Sequence, residues 1–270
     1  GGAGKTTLAR QYARAQKSSV MWEINAETKE SLRNSFESLA YALVKTEDEK
    51  KILRELQETK DAKAREEKFL QFVMGRLKSH SGWLLIYDNV EKFADIQKYF
   101  PYDSDAWGQG KILITTRDNN IINNNHIHNS LLLGELSPKE RLVLFTQIMN
   151  NRNKNKFTVA QEKQTEKFLE NIPPFPLDVS VAAYYLKTTN IPYSKYVEYL
   201  KEYNKDFENL GKDVLKEASD YTKTRHGIIT VSLNQLIETH KDFVELLLFI
   251  CLLNSHEIPR DLLEVYKSNI

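Results

Sequence analysis

The chain opens on Gly1-Gly2-Ala3-Gly4-Lys5-Thr6-Thr7, a run whose residue types suit the handling of a phosphate chain. Gly4-Lys5-Thr6 closes the pattern G-x-x-x-x-G-K-[ST], whose first glycine would fall two positions upstream of Gly1, so the sequence reads as a piece cut from a longer chain. The glycines of such a loop let the backbone N–H groups of Gly2, Ala3 and Gly4 turn toward phosphate. The helix starting near Lys5 adds the positive end of its dipole. Lys5 then reaches the β- and γ-phosphates, Thr6 ligates Mg²⁺, and Thr7 comes close to the α-phosphate.

Two later segments supply the groups that phosphate chemistry needs beside that loop. Leu84-Leu85-Ile86-Tyr87-Asp88 is an apolar run ending in a carboxylate, which places Asp88 beside the cation. Lys111-Ile112-Leu113-Ile114-Thr115-Thr116-Arg117 is a second apolar run whose carboxyl end presents hydroxyls and then a guanidinium. Arg117 can meet a terminal phosphate with two N–H groups at once. In open α/β sheets ligands sit at the carboxyl ends of strands, so Thr6, Asp88 and Arg117 are expected in one crevice.

These groups need a scaffold. Short, almost continuously apolar runs at Ser18 to Ile24, Trp83 to Tyr87, Lys111 to Thr115 and Leu131 to Leu133 predict strands buried on both faces of a parallel sheet. Helical periodicity separates them, at Lys5 to Ala15, Glu30 to Val44, Ala64 to Leu77 and near Phe93 to Tyr99. Alternating strands and helices predict a doubly wound α/β domain.

Past residue 136 only helical patterns follow. Ser137-Pro138-Lys139-Glu140 carries the marks of a capped helix start. Helices are expected at Pro138 to Met149, Gln161 to Asn171, Leu177 to Lys187, Ser194 to Tyr203, Asp206 to Lys216, Val231 to Ile237 and Asp242 to Leu253. Ile258-Pro259-Arg260-Asp261 opens another segment.

With 270 residues, 41% of them hydrophobic, the chain can build two or three cored domains and is not a disordered polymer. Lys plus Arg number 38 against 37 Asp plus Glu, so no overall positive field exists to hold a nucleic acid or an anionic membrane. No apolar segment approaches the ~20 residues of a membrane span and no signal peptide opens the sequence, which points to a soluble, cytoplasmic protein. The single cysteine, Cys251, lies in an apolar helical run and is expected to pack as a small hydrophobe. His126 and His128 lack partners at metal-ligand spacing, so residues 118–130, rich in Asn, read as a solvated, mobile loop. The charged stretch 45–68 reads as the wet face of helices.

Taken in order, GGAGKTTLA at the start, LLIYDNV at 84–90, GKILITTRD at 110–118, ELSPKERLVLF at 135–145 and IPPFPLDVSVAAYYLK at 172–187 resemble the NB-ARC branch of the STAND P-loop ATPases. That family includes apoptotic-protease activators and plant disease-resistance proteins. The resemblance spans essentially the whole sequence. It implies a P-loop NTPase three-layer parallel sheet over residues 1–135 with its first strand outside the sequence. A helical domain over 136–224 and the start of a winged-helix domain over 225–270 would follow. It also implies that Lys5, Thr6 and Thr7 hold ATP or ADP and Mg²⁺, that Asp88 is the Walker B acid, that Arg117 is a phosphate sensor and that Pro176 touches or flanks the adenine.

The activity implied is a switch: closed with ADP, self-associating with ATP, and slow in hydrolysis. Effector domains, trigger-sensing domains and the family's ADP-sensing His would lie outside these residues. Two positions depart from the family pattern: Asn89 stands where many members carry a second acid, and Phe175 stands where a glycine usually precedes the Pro-Leu pair. The alternatives are a continuously cycling ATPase, with Arg141, Arg152 or Arg260 as candidate arginine fingers, and an interaction module holding ADP as a structural ligand.

Overall fold

The computed structural model describes residues 2–150, 157–210, 220–239, 242–253, 258 and 261–264. In chain order the elements are α1 (Lys5–Arg14), β1 (Met21–Asn25), α2 (Lys29–Ala42), α3 (Glu47–Gln57), α4 (Ala62–Lys78), β2 (Trp83–Val90), α5 (Phe93–Ile96), α6 (Ser104–Trp107) and β3 (Gly110–Thr116). Helices then follow as α7 (Pro138–Asn150), α8 (Val159–Leu169), α9 (Pro176–Thr189), α10 (Tyr193–Leu210), α11 (Asp220–Thr239) and α12 (Phe243–Leu252). They group into two compact units. Residues 4–133 form the first; Gly2 and Ala3 group with the chain from Gly134 onward in the second.

The first unit is built on a parallel sheet of order β1-β2-β3. Side chains alternate across a strand, and β2 shows both consequences. Trp83, Leu85 and Tyr87 join a cluster with Leu32, Phe36 and Leu39 of α2 and Phe69, Val73 and Leu77 of α4. Leu84 and Ile86 face the other way and pack with Ala9 and Ala13 of α1. Helices on both faces explain why the strand is apolar without interruption. Gly110 at the start of β3 is required by a close approach: a Cβ there would lie 2.0 Å from the Trp83 ring. Helix starts are capped as their sequences dictate, by Thr28 and Thr46 in reciprocal capping boxes and by Asp61 for α4.

The second unit is helical in its described residues. Phe145 of α7, Phe168 of α8, Val179, Ala182, Ala183 and Leu186 of α9, Tyr196 of α10 and Ile228 and Val231 of α11 form its core. The expected cap at the start of α7 is present: Glu140 accepts from the Ser137 backbone N–H at 2.8 Å while the Ser137 hydroxyl accepts from the Glu140 N–H. Among the described residues no helix is long and apolar enough to cross a membrane.

Several expectations need correcting. Leu131 to Leu133 is not a strand; Leu131 and Leu132 are 74% and 82% exposed, and no strand pairs with them among the described residues. Apolar composition alone does not make a strand when no neighbour completes the ladder. Residues 118–130 are not simply a solvated loop. Asn119–Asn123 form a 3₁₀ turn that buries Ile121, and the His126 ring lies 4.4 Å from Tyr102 and stacks on Phe93.

The charged stretch 45–68 is not all wet, since Leu53 is fully buried against the core. The two helices expected between Ser194 and Lys216 start as one, α10, because no Gly or Pro interrupts residues 203–206; residues 211–216 lie outside the described set. Cys251 is exposed, on a helix in which no described residue is buried. The expected segment at Ile258 falls partly outside the described residues, with 261–264 helical.

Candidate functional site

Alternation along β2 puts Asp88 on the same face as Leu84 and Ile86, the face covered by α1. That parity brings together groups 82 residues apart: the Thr6 hydroxyl, in the first turn of α1, donates to Asp88 Oδ1 at 2.7 Å. A second donor reaches the same oxygen, the Thr115 hydroxyl near the end of β3, at 2.5 Å. Thr115 in turn accepts from the backbone N–H of Asn89 at 3.0 Å. Asp88 and Thr115 are both buried, so these bonds form with little competition from water.

The geometry has a local cause. Tyr87 pairs with Ile114 and Val90 with Thr116, leaving Asp88 and Asn89 opposite Thr115 alone. This is a β-bulge, two residues against one, and Asn89 absorbs it in the left-handed region with φ 61°. Asparagine tolerates that conformation better than most residues with a Cβ. Asn89 is exposed beside the carboxylate. Sequence alone places hydroxyls at the end of β3 but does not say that Thr115, rather than Thr116, bonds Asp88; Thr116 bonds the Val90 carbonyl instead.

At the start of α1 Gly4 is the N-cap, with φ 86° and no capping side chain. The first N–H groups of that helix therefore have no side-chain acceptor. Lys5 and Thr6 are half-buried and Thr7 is exposed. Arg117 lies just past the end of β3, exposed, and makes no hydrogen bond or ion pair among the described residues. Thr6, Asp88 and Thr115 are thus in direct contact, whereas Arg117 is placed by its strand without touching them.

In the second unit Gly2, with φ 85°, sits against α9. Its carbonyl accepts from the Leu177 backbone N–H at 3.3 Å. Pro176 occupies the first turn of that helix, where its missing N–H costs nothing, and Phe175 is an N-cap without a capping side chain. Asp178 follows, 1% exposed, and is gripped by Arg225 of α11 through Nε at 2.9 Å and Nη2 at 2.7 Å. Burial pushes the Asp178 carboxyl above the usual aspartate range in spite of the opposing pull of Arg225. Asp178 is the one acid in α9, which is the sequence signal that singles it out; nothing in the sequence singles out Arg225.

A glycine-rich turn feeding a helix, a buried strand ending in an acid that binds the turn's threonine, and helices on both faces of a parallel sheet define a P-loop nucleotide-binding domain. The NB-ARC domain matches residues 1–155, and the chain belongs to that family. No curated protein matches it.

Nucleotide binding is the property that membership carries, and the residues present fit a nucleotide and its cation. The Thr6 hydroxyl donates its only proton to Asp88, which leaves its lone pairs for a cation. The hydroxyl and carboxylate are the hard oxygen donors that Mg²⁺ prefers.

Proposed function

We infer that the chain is a nucleotide-dependent signalling switch, closed with ADP, self-associating with ATP and slow in hydrolysis. The observation that carries this reading is the Thr6–Asp88 hydrogen bond at 2.7 Å at the foot of an uncapped α1, since it joins the phosphate loop to the strand-end acid. Gly2, Ala3 and Gly4 offer backbone N–H groups, Lys5 offers an ammonium to the outer phosphates, and Thr7 reaches the α-phosphate. Mg²⁺, when bound, neutralises charge on the β- and γ-phosphates. Thr6 and Asp88 are the groups that would hold it.

Arg117 provides a guanidinium for the terminal phosphate, a contact ATP offers and ADP lacks, and Pro176 flanks the base. A switch needs such a differential, and about 5.5 kcal/mol would invert a population almost completely. Asn89 in the place of a second acid supports slow hydrolysis, because an amide does not accept the proton of an attacking water at neutral pH. The domain limits 1–135, 136–224 and 225–270 and a cytoplasmic, homo-oligomeric active state belong to the same reading.

A continuously cycling ATPase is less well supported. Arg141, one of its candidate fingers, already donates to the Leu169 carbonyl at 3.0 Å, and Arg152 and Arg260 lie outside the described residues.

The test is nucleotide content and oligomeric mass with ADP and with a non-hydrolysable ATP analogue, for the wild type and Lys5→Ala. Bound ADP, a larger mass with the ATP analogue only, and loss of both in a folded Lys5→Ala protein are expected. Turnover near the median enzyme rate of ~10 s⁻¹ without an activator would instead establish the cycling ATPase.

A further inference from the structure

The first turn of α9 has N–H groups to satisfy and no capping side chain at Phe175. One of them, from Leu177, is taken by the carbonyl of Gly2 in the phosphate loop. The next residue, Asp178, holds the Arg225 guanidinium in a fork. That guanidinium also lies against the same loop: a Cβ on Gly2 would stand 2.6 Å from Arg225 Nη2 and 3.1 Å from Leu177 Cβ. The Phe175 ring faces it from 5.8 Å. Four elements of the second unit, namely Gly2, the residue before α9, the first turn of α9 and α11, thus meet around one cation.

Burial leaves the Asp178 carboxyl harder to ionise than in water even with Arg225 beside it. Buried pairs of this kind are weak sources of stability and are better understood as fixing geometry.

We propose that Arg225, clamped by Asp178, is a positioning residue that holds the Gly2 limb of the phosphate loop against the first turn of α9, so that nucleotide binding and the seating of α11 on α9 are coupled. The proposal rests on the nucleotide-binding reading above and adds a route from the loop to α11. Arginine suits this place because its planar fork serves a carboxylate while its face packs on a ring, which an ammonium cannot do. Glycine is demanded at position 2 by the left-handed φ and by the guanidinium that fills the space of a Cβ.

Coupling is reciprocal, so ADP should protect the Leu177 amide and loss of the clamp should weaken ADP. The experiment uses the whole chain and its Arg225→Ala, Arg225→Lys and Asp178→Asn variants. A fluorescent ADP analogue measures affinity, and hydrogen exchange is read at Leu177 and, as controls, across α8 and β2.

In the wild type, ADP is expected to slow exchange at Leu177. Arg225→Ala should weaken the analogue about tenfold, within the usual range of coupling between linked sites. It should speed exchange at Leu177 and abolish the effect of ADP there, with α8 and β2 still protected. Arg225→Lys and Asp178→Asn should fall between it and the wild type, and Asp178→Asn decides the matter if Arg225→Ala does not fold. Unchanged affinity and unchanged Leu177 exchange overturn the proposal. So does loss of protection throughout α8 together with Leu177, which would make the pair an ordinary stability contact. A wild type that binds no ADP defeats the nucleotide reading separately, and Leu177 exchange in the variants still decides whether Arg225 holds the loop.

Discussion

Asp88 takes two hydroxyl donors on one oxygen, and the two are not equivalent. Thr6 belongs to the loop and has lone pairs to offer a cation, whereas Thr115 is buried and also accepts the Asn89 N–H, which ties the carboxylate's orientation to the bulge. Replacing Thr115 by Val keeps the shape, removes one donor to Asp88 and leaves the Asn89 N–H without its acceptor. The cost should be about 1–2 kcal/mol in a urea titration, in the range for leaving buried polar groups unpaired. Mg²⁺-dependent nucleotide binding should weaken in parallel, and Thr115→Ser should restore both, because serine keeps the hydroxyl. A Val variant as stable and as Mg²⁺-responsive as the wild type would show that Thr6 alone orients Asp88.

Among elements, α4 and the turn after α5 are held by a polar cluster at the edge of the apolar core. Burial alone would raise the Glu66 carboxyl, but the Tyr99 hydroxyl and the Lys98 ammonium, 2.9 Å away, hold it below its ordinary value of 4.5. The Tyr99 hydroxyl is pushed up by burial and by that same carboxylate, so it stays a donor at any ordinary pH. A carboxyl whose folded pKa is depressed stabilises the fold above its unfolded pKa and loses that contribution as pH falls through the folded value. Glu66→Gln should therefore lower the melting temperature at neutral pH, and the gap to the wild type should close as the pH falls below 4.5 and through the depressed folded value. A gap independent of pH would mean that the side chain acts by packing alone.

On the scale of the whole molecule, the chain passes between its two units through residues that carry no regular structure, with Leu131 and Leu132 largely exposed. Exposed, unstructured backbone is where proteases cut first. Brief chymotrypsin treatment should cleave after Leu131 or Leu132 before it touches β2 or α9, which mass spectrometry of the fragments would establish. First cuts inside α4 or α8 would contradict that assignment. The same exposure explains why this leucine run, apolar enough to read as a strand, forms none: a strand exists only where a neighbour accepts its ladder.

The sequence by itself determined what is local or periodic. The glycine loop, the capping pair at Ser137, the buried strand with its two-residue alternation, and therefore the face of that strand on which Asp88 lies, all follow from spacing within a few residues. NB-ARC membership is legible for the same reason, since each of the five segments that carry the resemblance is a contiguous run.

Only the tertiary structure decided which hydroxyl completes Asp88's shell, that Asn89 turns left-handed to open a bulge, that His126 is packed against aromatic rings, that Cys251 faces outward, and that Arg225 reaches back 47 residues to Asp178 beside Gly2. Each of these depends on how several distant elements pack at once, and a side chain's partner across such a distance leaves no mark in the residues next to it.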